Sequence, residues 1–166
     1  ASEYNEEEIR AAVEEAANAG TFVTAHAHGV EGIKRAVRAG VRSIEHASYL
    51  DDEGIALMVK HGTWLVADIY NGDYIAEIGK RDGWPAEILR KNRETTDTQR
   101  AAFEKAVRAG VRIAYGTDSG VYPHGRNANQ FRYMVRYGMT PLQAIRSATL
   151  DSARLLGHEK DFGSIA

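Results

Sequence analysis

Apolar and polar positions along this chain follow two alternating rhythms. Stretches with apolar residues three and four apart end in a Gly, and each leads into a short apolar run that closes on a His or an Asp. The segments read AANAG-TFVTAH, AVRAG-VRSIEH, MVKHG-TWLVAD and AVRAG-VRIAYGTD. Their glycines stand at 20, 40, 62 and 110, and their polar endpoints are His26, His46, Asp68 and Asp118. A Gly just past a helix supplies the left-handed C-terminal cap, and a buried strand starts after it. The rhythm predicts helices over 5–19, 31–39, 51–61, 85–109, 127–137 and 141–156, and strands over 21–26, 41–46, 63–67 and 111–116. Acidic residues fill the first turn of the first helix, and Thr140-Pro141 opens the last as an N-cap followed by Pro at the first helical position.

Helices and strands alternating at these lengths imply an α/β fold of parallel β/α units with right-handed crossovers. The heptapeptide AVRAGVR occurs at 36–42 and again at 106–112. The longest strand-to-helix segments, 69–84 and 117–127, are expected to be loops. Both follow strand ends, the side on which α/β enzymes keep their chemistry. Four strands fall short of the eight in a closed barrel, which typically needs about 250 residues. Four alone would also leave two unpaired edges. The chain is then either half of a larger barrel or an open sheet completed by another copy.

Composition narrows the function. Lys and Arg number 21 against 23 Asp and Glu, a balance that excludes the clustered basic surface of a nucleic-acid or anionic-membrane binder. With no Cys, disulfides, thiolate metal sites and Cys nucleophiles all drop out. No apolar run approaches the roughly 20 residues of a membrane span. The opening ASEYNEEEIR lacks the basic-then-apolar layout of a signal peptide. A soluble chain without a targeting segment of its own is expected, in a compartment left open. At 166 residues it is long enough for one domain with a sizeable core.

Metal-ligand side chains at the ends of consecutive parallel strands are how an α/β barrel builds a site on one face. Alternate strand residues share a face, so His26 and His28 can point the same way. His46 matches His26 in its offset from the preceding Gly, and imidazoles on adjacent strands, about 4.8 Å apart, are close enough to share an ion. Each His also reads as a buried imidazole satisfied by a carbonyl. Asp118, in Gly116-Thr117-Asp118-Ser119-Gly120, can bind a metal or take a proton from metal-activated water, and it equally reads as turn chemistry. Asp68 fits a substrate contact, a helix N-cap or a loop role. Tyr70, His124 and Arg126 stand in the long segments and can bind a substrate carboxylate or polarise a carbonyl. His61 reads as a helix C-terminal residue and His158 as a surface one. There is no G-x-S-x-G elbow, P-loop or G-x-G-x-x-G after a strand.

With His26-Ala27-His28-Gly29, Ile44-Glu45-His46 and Gly116-Thr117-Asp118-Ser119 in this order, the chain resembles the amidohydrolase superfamily. Within it, the likeness is to the imidazolonepropionase-like branch that holds metal-dependent Xaa-Pro dipeptidases and related carboxypeptidases. The tail from Met139-Thr140-Pro141 to Leu155-Leu156-Gly157 resembles the helix after the last strand of those enzymes. Gly163-Ser164-Ile165 resembles their re-entry into a small β-sandwich.

The resemblance implies a TIM-type (β/α)8 barrel of which residues 1–157 supply strands 5 to 8, the C-terminal half, with 158–166 starting the connection to a sandwich segment. It implies a divalent metal, zinc above all, held by His26, His46 and Asp118. Asp118 would also shuttle a proton to the leaving amine, and His28 would lie near the substrate. The implied activity is metal-dependent hydrolysis of amide or peptide bonds, of the dipeptidase or carboxypeptidase kind, on a small peptide or amide substrate. The family's strand-1 H-x-H and strand-4 carboxylated Lys or Glu have no counterpart here, so the chain by itself is expected to be inactive. A deaminase would carry Glu three residues after the strand-5 His, where this chain has Gly29. The reading from another class is a non-catalytic half-barrel that self-associates or completes another chain.

Overall fold

The computed structural model describes residues 3–165; Ala1, Ser2 and Ala166 lie outside the described residues. After α1 (Glu6–Asn18), four strands alternate with helices: β1 (Thr24–Ala27), α2 (Val30–Ala39), β2 (Ser43–His46), α3 (Asp52–His61) and β3 (Trp64–Val66). Then come α4 (Asn71–Arg81), α5 (Ala86–Ala109), β4 (Arg112–Ile113), α6 (Asn129–Arg136), α7 (Pro141–Ala148) and α8 (Leu150–Leu156). The strands form one sheet in the order β1-β2-β3-β4, every pair parallel. This is the predicted β/α alternation, and it forms part of a barrel. Three of the four predicted caps are in place: Gly40, Gly62 and Gly110 end α2, α3 and α5 in the left-handed conformation that an L side chain resists, while α1 closes on Ala19 with Gly20 next to it.

Register sorts the two faces of the sheet. Thr24 lies beside Ser43, Ser43 beside Trp64 and Trp64 beside Arg112, while His26 lies beside Glu45. Between these rows, Ile44 and Leu65 point the other way and are fully buried with Ile33, Val37, Met58, Phe103 and Ala106 of the helices. The helix layer therefore covers one face. On the opposite face Thr24, His26 and Arg112 are exposed, while Ser43 and Trp64 in the same row are buried. Among the described residues no helix is long and apolar enough to cross a membrane.

Three expectations are corrected. The segment 69–84 is not a loop: α4 fills most of it, without a side-chain N-cap and with Gly72 and Gly79 inside. Those glycines are where α5 presses closest; a Cβ on Gly72 would lie 1.9 Å from Thr96 Oγ1, and one on Gly79 2.5 Å from Leu89 Cδ2. The last helix is two, α7 and α8, broken at Thr149 with φ −124° and ψ −98°. The break follows from the Ser147 carbonyl, which accepts from the Tyr115 N–H at 3.0 Å and from Ser152 Oγ at 2.6 Å. The same bond ends β4 early: Ala114 still donates to the Leu65 carbonyl of β3, but Tyr115 turns away to α7. After α8, residues 159–162 form turns.

Candidate metal centre

The site is built at the carboxyl ends of the strands. His26 projects from β1 onto the open face, and His28, two residues on, lies beside it with ring centroids 4.6 Å apart. Strand alternation alone would send His46 to the helix side with Ile44, since His46 is paired with Ala27 and not with His26. Instead His46 and Ala47 have φ of 68° and 50°. This left-handed turn swings the imidazole back over the open face, 4.4 Å from the His26 ring and 4.8 Å from that of His28. Asp118, in the loop after β4, has φ 49°. Among the described residues, two groups each bring one ligand atom per residue within 4.8 Å of one another: His26, His28 and His46, and His46, Asp68 and Asp118. His46 is the shared member, while His26 and Asp118 belong to different groups.

Behind these side chains is a buried polar turn at the end of β3. Asp68 Oδ1 accepts from His46 Nδ1 at 3.0 Å and from Gln99 Nε2 at 2.8 Å. Asn71 Nδ2 donates to Asp68 Oδ2 at 3.1 Å and to Asp118 Oδ2 at 3.0 Å. The turn's backbone is satisfied from neighbouring helices. The Arg100 guanidinium donates twice to the Ile69 carbonyl, and Gln130 accepts from the Tyr70 N–H while donating to the Ala67 carbonyl. His28 Nδ1 shares a 2.7 Å hydrogen bond with the buried Ser48 Oγ.

These contacts set the charges. Burial tends to raise the Asp68 carboxyl, but the hydrogen bond and charge of His46 and the amides of Gln99 and Asn71 outweigh it and hold the group at about 2. The Asp68 bond raises the His46 pKa against the opposing effect of burial. Burial, with the charges of His46 and His26, lowers that of His28, which is neutral at neutral pH. Glu45, on the open face next to His26, is raised by burial although Ser43 donates to it at 2.6 Å. An ionised Asp68 only accepts, so His46 carries its proton on Nδ1 and presents Nε2. Imidazole nitrogens with a carboxylate, and no thiolate, are a donor set suited to a borderline divalent ion such as zinc. The residues present fit such an ion.

Of the remaining predicted residues, Tyr70 lies in the core, 5% exposed, with its ring packed against Tyr122 and Tyr133. His124 and Arg126 are exposed in the loop after β4, His124 near Ser119 Oγ at 3.3 Å and Arg126 5.7 Å over the Tyr74 ring. His61 is the last residue of α3 and His158 is exposed, as expected. Sequence reasoning missed Ser48, Asn71, Gln99 and Gln130; uncharged amides and hydroxyls have no periodic signal. A hollow of about 960 Å³ lies at the opposite ends of the strands, between Phe22, Arg42, Trp64 and Arg112, away from the histidines.

Comparison with known proteins identifies the family. The amidohydrolase family profile matches residues 1–166. Ochratoxinase of Aspergillus niger is 38% identical over 158 residues, which are 94% of this chain and 32% of that protein. An imidazolonepropionase of Chromobacterium violaceum is 28% identical over 87% of the chain and 34% of its own length. Among solved structures, a Xaa-Pro dipeptidase with bound methionine superposes with a TM-score of 0.89 at 44% identity, over 98% of this chain and 40% of that one. A prolidase complexed with N-methylphosphonate-L-proline gives 0.84 at 36% identity, again over 98% and 40%. The chain therefore spans about a third to two fifths of these relatives. It belongs to the amidohydrolase family.

Proposed function

We propose that this chain carries part of the active site of a metal-dependent hydrolase that cleaves amide or peptide bonds in small substrates, of the dipeptidase or carboxypeptidase kind. The observation that carries the reading is that His46 clusters with His26 and His28 on one side and with Asp68 and Asp118 on the other. The Xaa-Pro dipeptidase and prolidase relatives support a peptide substrate. When bound, a divalent ion such as zinc would polarise the scissile carbonyl and make water acidic enough to attack near neutral pH. His26 and His46 would hold it through imidazole nitrogen. Asp118, whose Oδ2 accepts from Asn71, has its other oxygen left to hold the ion or carry a proton to the leaving amine. His28, neutral and braced by Ser48, faces the same space and is placed to contact substrate. Arg126 and His124 edge the loop and offer charge or hydrogen bonds to a substrate carboxylate.

Metal content tests the reading. The purified chain should hold about one zinc, and His26→Ala or His46→Ala should each remove it. Zinc content unchanged in both variants would overturn the assignment. Dipeptide turnover by the chain alone is not expected.

A second reading rests on the two outer strands. Among the described residues β1 and β4 each pair on one side only, so a half-barrel that associates with its own copy is the alternative. A metal-free oligomer would favour it.

A further inference from the structure

The geometry points to Asp68 and Asn71 as positioning residues that aim two candidate ligands from two different strands, an inference resting on the function proposed above. His46 and Asp118 both stand at positive φ, 68° and 49°, a region that an L residue occupies only when its surroundings hold it there. They come from β2 and from the loop after β4, and β3 runs between them. The end of β3 reaches both. Asp68 takes the His46 Nδ1–H, and Asn71 Nδ2 bridges Asp68 Oδ2 and Asp118 Oδ2. One carboxylate and one amide thus tie β2 to the loop after β4.

Asp68 occupies a strand end like His26 and His46, and its position alone would make it another ligand. Its hydrogen bonds assign it otherwise. Oδ1 is taken by His46 and Gln99, and Oδ2 by Asn71, and the residue is only 9% exposed. Both contacts of the Asn71 amide are carboxylates, so its nitrogen must face them. Its Oδ1 is buried without a partner, in a residue 6% exposed beside the candidate ligands. Gln99 also donates to the His46 carbonyl at 3.0 Å, so α5 holds the strained residue from the backbone as well. Fixing the Nδ1–H tautomer leaves Nε2 of His46 as the only nitrogen able to bind an ion. Outer-shell partners of this kind typically change metal affinity about 10–100-fold when lost.

The test compares the unmodified chain with Asp68→Asn, Asn71→Ala, His26→Ala and His46→Ala. Zinc affinity is read against a competing chelator, the visible spectrum after cobalt loading, and the His46 tautomer by imidazole nitrogen NMR on metal-free protein. Asp68→Asn and Asn71→Ala should each weaken zinc binding by about 10–100-fold and alter the cobalt spectrum while far-UV circular dichroism is kept. Asp68→Asn should also shift His46 away from the Nδ1–H tautomer. If Asp68→Asn fails to fold, Asn71→Ala decides, since it leaves the Asp68–His46 bond in place. Affinities within twofold of the unmodified chain, with His46 still in its tautomer, would overturn the positioning role alone, provided His46→Ala abolishes binding. Zinc binding that neither His variant reduces, or that the unmodified chain lacks, would overturn the functional reading and this one with it.

Discussion

The His46–Asp68 pair links the candidate site to stability through pH. In the metal-free chain Asp68 is lowered from 3.8 to about 2, so its contribution is present above the unfolded value and lost as pH falls towards the folded one. A shift of that size in a buried carboxylate corresponds to about 2 kcal/mol. His46 works in the opposite sense: raised above 6.5, it contributes fully below that value and less as pH climbs through its folded pKa. Thermal melts over a pH series should show the unmodified chain losing stability between about pH 4 and pH 2 more steeply than Asp68→Asn. Parallel curves would show that Asp68 is not held as its contacts indicate. His26, His46 and Asp118 stand out in the letters because each follows a Gly at the end of a helical stretch by six to eight residues. The role of Asp68 is not, because it depends on Gln99, 31 residues away, and Asn71. Nor does alternation foretell that His46 faces His26, since a positive φ at one residue reverses it.

At the level of elements, the long amphipathic helices and their glycine stops are read correctly because period and cap agree. The errors occur where a tertiary contact overrides local preference. Helix α4 lacks a capping side chain and contains two glycines, features that propensity reads as loop. It forms because α5 packs against it so closely that only hydrogen fits at Gly72. Gly72→Ala should therefore lower stability by about 1–3 kcal/mol through overpacking, despite alanine's better helix propensity, measured as a drop in melting temperature. A gain in melting temperature would mean that α4 does not pack on Thr96. Because α4 begins at Asn71, such a loosening should also weaken zinc binding. The α7–α8 break is hidden for a related reason: the Ser147 carbonyl is drawn off by the Tyr115 N–H, a pairing that no local pattern announces.

On the scale of the whole molecule, the open face of the sheet and its two outer strands decide how this chain behaves alone. The Val23 carbonyl accepts from the Arg42 N–H, and that of Ala27 from the Ala47 N–H. In a parallel ladder the residues between point their backbone groups the other way, so Thr24 and His26 direct theirs out along the free edge of β1. An unpaired edge next to an exposed inner face is a template for another strand. We propose that the chain self-associates through it, and sedimentation velocity over a concentration series should show species above the 18.3 kDa monomer. Thr24→Pro separates this edge from other sticky surfaces. It removes one outward N–H while leaving the β1–β2 ladder intact, since proline is tolerated on an edge strand whose N–H faces solvent. The variant should keep its far-UV circular dichroism and shift towards monomer. Unchanged association would place the contact elsewhere, on the inner face around Trp64 and Arg112 or along β4. Zinc content measured on both samples then shows whether the half-site depends on the assembly: a monomeric Thr24→Pro that keeps its ion needs only its own His26, His46 and Asp118.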